Sequence, residues 1–181
     1  MELTRLPGKN PAPSMRKTIA LLGALCLFLS AVEYMIPKPF PFMRIGIANI
    51  PLMIAVDLLP FSSFLLLTGI KIFGQALISG TLFSYVFLLS LAGVTVSALC
   101  MYGLRRIFRQ KRISFIGLGV TGAMVSNVSQ LLLAGIFIFG ESAIYLVPPF
   151  LAAGMVSGLL TGILCEYFSR RSKWYEEKRL K

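Results

Sequence analysis

Phe61–Gly80 reads FSSFLLLTGIKIFGQALISG, twenty residues with a single charge, Lys71. A helix needs about 20 apolar residues to cross the ~30 Å hydrocarbon layer of a bilayer, so this stretch reads as a membrane span. The same ruler, moved outward, finds Phe83–Leu104 after it and Ile45–Leu59 before it, then Thr18–Ile36, Ser114–Phe139 and Ile144–Phe168. Ile45–Leu59 is the shortest and stops at Pro60, so it either spans with tilt or dips in and returns. Composition agrees: 56% of the 181 residues are hydrophobic and 14% are charged, where a soluble domain carries about 25% charged residues. The expected fold is an all-α integral membrane protein, a six-helix transmembrane bundle. A soluble enzyme, a disulfide scaffold and a disordered chain are excluded by the same numbers.

Charge placement decides between five spans and six. Basic residues cluster in three segments: Arg5, Lys9, Arg16 and Lys17; then Arg105, Arg106, Arg109, Lys111 and Arg112; then Arg170, Arg171, Lys173, Lys178, Arg179 and Lys181. Six spans put all three on one side, which the positive-inside rule makes cytoplasmic. The expectation is a protein of the cell membrane with both termini inside: residues 1–17 a disordered cytoplasmic tail, 18–168 the six-span domain, 169–181 a basic cytoplasmic tail. Met15–Arg16–Lys17 and the apolar run behind it imitate a secretory signal, but the span continues to Ile36 and the even count needs it. The net charge of +11 is accounted for by topology and by attraction to anionic lipid, with no nucleic acid partner.

Absences bound the chemistry. There is no His, and Asp57 is the only aspartate, so a His-based triad, a His metal site and a paired-Asp magnesium site cannot form. Cys26, Cys100 and Cys165 lie apart inside apolar runs and read as small core residues. No catalytic residue, metal or cofactor is expected.

Polar residues at depth carry the functional signal, because ionisable groups inside a bilayer are costly and face a cavity or a partner. On the six-span topology Glu33 is near the outer end of the first span, and Arg44 and Asn49 are at the outer entrance of the second. Lys71 is near the middle of the third with Gln75 a turn further out; Asn127 is central in the fifth with Gln130 above it. Thr68, Lys71, Gln75 and Ser79 form one helical stripe, and Ala123, Asn127, Gln130 and Ala134 another. Together these residues read as the wall of a polar ligand site. The plainer alternatives are interhelical hydrogen bonds for Asn127 and Gln130, and a Lys71–Glu33 ion pair. The segment Ile36–Pro37–Lys38–Pro39–Phe40–Pro41–Phe42 favours extended geometry and would sit above the cluster as a semi-rigid lid or an ordinary stiff loop. Gly154, Gly158 and Gly162 repeat every four residues, as do Ala20 and Ala24. Such faces let helices approach closely in lipid, within the subunit for the glycines, and either within the subunit or against a partner helix for the alanines.

Ile36–Pro37–Lys38–Pro39–Phe40–Pro41 followed by Arg44–Ile45–Gly46–Ile47–Ala48–Asn49–Ile50 is similar to the proline-rich loop and GLANI-type motif of the Gx transporter family, also labelled heptaprenyl diphosphate synthase component I. Lys71 through Gly80–Thr81–Leu82–Phe83–Ser84 resembles that family's basic residue and G-S/T-L-F-S stretch. Gly122–Ala123–Met124–Val125–Ser126–Asn127–Val128–Ser129–Gln130 resembles its G-A-x-x-H-N-x-G-Q motif, with Ser126 in place of His and Ser129 in place of Gly. The family in turn resembles the six-helix S components of energy-coupling factor (ECF) transporters. That resemblance implies a substrate-binding subunit with an outward pocket under the first external loop. It also implies a first span that meets a transmembrane coupling subunit, with two ATPases beneath.

The resulting expectation is the binding subunit of an ATP-driven uptake transporter for a small anionic or polar solute. No phosphate-cradling G-x-x-x-x-G-K-[ST] segment is present, so ATP would be used by other chains. The alternative is a non-catalytic membrane partner of a soluble prenyl diphosphate synthase, since a lone Asp57 cannot hold the magnesium that prenyl transfer uses.

Overall fold

A computed structural model describes residues 13–36, 46–108 and 113–179. The proline-rich segment with Arg44, most of the N-terminal tail, and Arg109, Lys111 and Arg112 lie outside the described residues. The chain forms α1 (Pro13–Met35), α2 (Ile50–Leu58, entered through a 3₁₀ turn at Ile47–Asn49), α3 (Phe61–Ile78), α4 (Tyr85–Ile107), α5 (Phe115–Ala134), α6 (Val147–Arg171) and α7 (Lys173–Arg179). It is an all-α membrane bundle, with no strand among the described residues.

Local chemistry sets the helix ends. Ser84 and Ser114 each cap a helix, accepting from Val86 N and Gly117 N at 3.2 Å, which satisfies amides the helix itself leaves open. Pro60 precedes α3, and prolines occupy the first turns of α2 and α6, where a missing N–H costs nothing. Gly80 closes α3 at φ 65°, a conformation that only glycine takes easily. The expected spans shift at these marks. The first helix begins at Pro13 instead of Thr18, and the sixth at Val147 instead of Ile144. The fifth gives way at Gly135 to a π-helical turn, Gly135–Phe139, and a 3₁₀ segment, Gly140–Leu146.

Among the described residues, four helical stretches are long and apolar enough to cross a membrane: Met15–Met35, Phe61–Ile78, Tyr85–Ile107 and the 57-residue stretch Phe115–Arg171. The last folds back on itself as the α5–α6 hairpin. Ile47–Leu58 is shorter, about 18 Å at ~1.5 Å per residue, and does not reach across a bilayer alone. Pro51 through Val56 are all buried, so this stretch of α2 is enclosed on every side, as a helical stretch that is apolar all round must be. The hairpin is held by glycine. A Cβ added at Gly158 would lie 2.8 Å from Gly119 O and Val120 Cα, and one at Gly162 2.6 Å from Ile116 Cα. The glycine repeat therefore packs within the subunit.

At one end of the bundle, Asp57 at the foot of α2 accepts from Arg105 Nε (2.7 Å) and Nη2 (2.8 Å) and from Tyr175 Oη (2.6 Å). Arg105 Nη1 also donates to Ile113 O, and Phe115 N donates to Glu166 Oε2 at 3.0 Å. Met15 meets Ser63 at the same end. The C-terminal residues are thus not a loose tail: α7 docks Tyr175, 1% exposed, beneath the bundle. Burial, and then the hydrogen bond to Asp57, push the Tyr175 phenol above its ordinary pKa.

Candidate functional site

Both polar stripes face inward. Thr68, Lys71 and Gln75 are buried on α3, as are Asn127, Gln130 and Ala134 on α5. Between α1, the start of α2, α3, α4, α5 and α6 lies a cavity of about 30 Å³ whose lining includes Glu33, Asn49, Lys71, Gln75, Ser126 and Asn127. This volume admits about one or two waters, the threshold for one being roughly 10–15 Å³.

Each wall follows from its local sequence. Gly46 takes φ 82°, which turns the chain into the helix and aims its N–H inward. Gly46 N and Ala48 N donate to Glu33 Oε1 and Oε2 at 3.2 and 3.3 Å. A carboxylate from α1 thus caps the helix that follows, where the positive end of the peptide dipoles favours an anion. Lys71 Nζ donates to Asn49 Oδ1 at 2.8 Å, so this α3 ammonium reads the first turn of α2. Glu33 and Lys71 are 1% and 2% exposed, and both line the one cavity. On the opposite wall Asn127 Nδ2 donates to Phe150 O at 2.7 Å, a reach that depends on Gly154, where a Cβ would strike the same nitrogen.

One acceptor stands apart. Gln75 Oε1 is buried with no hydrogen-bond partner among the described residues, in a residue that lines the cavity. Buried carbonyl oxygens without a donor are uncommon, and each costs roughly 1–3 kcal/mol. A donor that reached this oxygen would remove that cost.

Glu33, Asn49, Lys71, Gln75 and Asn127 come together around this cavity. Gln130 does not line the cavity; it stands behind it, donating Nε2 to Ser126 Oγ at 3.0 Å and filling the space left by Gly93. Arg44 lies outside the described residues. Ala20 and Ala24 are exposed on α1, away from the cavity. The lining also includes Met53, Ser97, Met101, Ser157 and Thr161, which sequence reasoning missed. Ser157 and Thr161 had a signal: they sit at i, i+4 beside the Gly154–Gly158–Gly162 row, so once that row faces α5 they must face inward.

Larger openings have other chemistry. A groove of about 410 Å³ beside the hairpin turn is lined by Val128, Leu131, Leu132, Ile136, Ile144 and Leu151, among others, and suits hydrocarbon. A cleft of about 310 Å³ at the Arg105 end is lined by Ser114, Glu166, Arg170 and Tyr175, among others, and mixes both charges. No group of three or more His, Cys, Asp or Glu that could hold a metal occurs among the described residues.

Comparison with known proteins places this geometry in a family. No curated protein and no solved structure matches the chain. The family model described as heptaprenyl diphosphate synthase component I matches residues 22–168, from the first helix to the end of the last span, and the chain belongs to that family.

Proposed function

We propose that this member of the heptaprenyl diphosphate synthase component I family is a solute-binding membrane subunit, in the manner of an ECF S component, and not a catalyst. The observation that carries the reading is the polar cavity: an ammonium, a carboxylate, three amides and several hydroxyls gathered inside an apolar bundle. Polar and ionisable groups at this depth are costly and mark ligand or ion paths. A small-molecule site runs to roughly 300–1,000 Å³, so the cavity of about 30 Å³ is a closed form that opens to admit a small polar solute. The arrangement offers binding groups, with nothing placed as nucleophile or metal cradle. Movement of the solute then needs energy from other chains, a coupling subunit and two ATPases, with the exposed Ala20–Ala24 face of α1 as the contact. Lys71 and Gln75 are the proposed solute contacts, with Asn49, Asn127 and Glu33 positioning them. On this reading the protein lies in the cell membrane with both termini cytoplasmic and its basic end against anionic lipid.

Lys71→Met tests it, because methionine keeps the length and suits an apolar interior. Small molecules retained by purified wild type and variant are compared by mass spectrometry. A compound held by wild type and lost from a folded Lys71→Met protein is expected; equal retention would overturn the assignment.

A second reading follows the family description: a non-catalytic membrane partner of a soluble prenyl diphosphate synthase. The aliphatic groove of about 410 Å³ favours it, being the chemistry that takes a prenyl chain. Co-purification separates the two, with ATPases and a coupling protein on one side and a soluble synthase on the other.

A further inference from the structure

We infer that the cavity selects a solute with no net charge that carries at least one N–H or O–H donor; this rests on the solute-binding reading and narrows it. The first ground is charge balance. Among the described residues that line the cavity, two are ionisable, Glu33 and Lys71, with formal charges that cancel. Both are essentially sealed from solvent. An anion drawn in by Lys71 would leave one negative charge uncompensated in a low-dielectric interior, where an unbalanced ion costs several kcal/mol. A cation drawn in by Glu33 meets the reverse problem. An uncharged or zwitterionic solute leaves the balance as it stands.

The second ground is the bonding already present. Asn49 Oδ1 is engaged by Lys71, Asn127 Nδ2 by Phe150 O, and Gln130 Nε2 by Ser126 Oγ. Glu33 holds two backbone N–H groups. Gln75 Oε1 has no partner among the described residues and can only accept. Once the cavity opens, a guest that reaches this oxygen is stabilised by giving it a hydrogen bond. An acceptor-only anion, such as a simple carboxylate, cannot.

Thermal unfolding of the full-length protein in detergent, at matched ionic strength, tests this with probes of similar size in three classes: small amides and polyols, neutral amino acids, and monocarboxylates. At least one net-neutral class should raise the unfolding temperature, with an affinity at least about tenfold above that of the carboxylates, equivalent to ~1.4 kcal/mol. Glu33→Gln makes the lining formally positive and should shift preference toward carboxylates. Lys71→Met makes it negative and should leave carboxylates without effect, so carboxylate binding by this variant would count against the inference even where Glu33→Gln fails to fold. Carboxylates binding wild type as tightly as neutral solutes would overturn the inference and leave the solute-binding reading intact. A flat response to all three classes would overturn both.

Discussion

Two buried acid–base sets mark this chain, and they are built for different ends. At Asp57 every bond is closed: Arg105 holds both carboxylate oxygens and Tyr175 adds a third contact, with side-chain exposures of 7% and 2% for Arg105 and Asp57. Breaking one side of such a pair leaves a bare buried charge, at a cost of roughly 3–5 kcal/mol. Arg105→Met should lower the thermal unfolding temperature by that measure, and Asp57→Leu added to it should restore most of the loss. If the double variant is no more stable than the single one, the pair is not what holds this end. At Glu33 and Lys71 the partners include backbone amides and an amide side chain, and on the proposed reading this set serves a guest. The second set was legible because Lys71 interrupts an apolar run and shares a stripe with Gln75. The first was not, because Asp57 and Arg105 are 48 positions apart and no periodicity joins them.

Helix packing depends on which glycines face a neighbour. Gly158→Ala would push a methyl to 2.8 Å from the α5 backbone, where nothing can rotate away, so a loss of about 1–3 kcal/mol is expected. Gly69→Ala and Gly103→Ala meet nothing within 4 Å and should be neutral or stabilising by up to ~1 kcal/mol, the helix-propensity gain. Thermal unfolding of the three variants checks the contrast; equal effects would mean that the hairpin is not glycine-limited. The repeat on α6 was visible in the sequence, whereas its seat on Gly119 needed the fold. The same pattern at Ala20 and Ala24 points outward. Ala20→Leu or Ala24→Leu should therefore leave the isolated subunit as stable as wild type while reducing recovery of partner chains on co-purification. Undiminished recovery in both variants would remove that face as an assembly surface. The second helix was the least legible element. Its apolar run fixes that it is buried, but its entry turn depends on a capping carboxylate 15 residues before Ala48, on another helix.

At the scale of the molecule, α2 joins the cavity to the basic end: its first turn answers to Glu33 and Lys71, its last to Arg105 and Tyr175. The same contacts fix which ends lie together. Met15 touches Ser63, Asp57 touches Arg105 and Tyr175, and Glu166 touches Phe115, so the described basic residues Arg16, Lys17, Arg105, Arg106, Arg170, Arg171 and Lys173 border one end of the bundle. Gly140 and the exposed Glu141 lie in the α5–α6 turn, at the far end of the hairpin from that cluster. A lysine- and arginine-rich end is retained on the cytoplasmic side during insertion, so on the proposed topology the Glu141 turn and the Glu33 end of α1 face the outside. The assignment can be tested without disturbing a basic residue. In a chain with Cys26, Cys100 and Cys165 replaced, Glu141→Cys should react with a membrane-impermeant maleimide on intact cells. Glu177→Cys, exposed on α7, should react only in inverted vesicles or after permeabilisation. Labelling of position 177 from outside would invert the topology, and with it the side from which a solute enters the cavity.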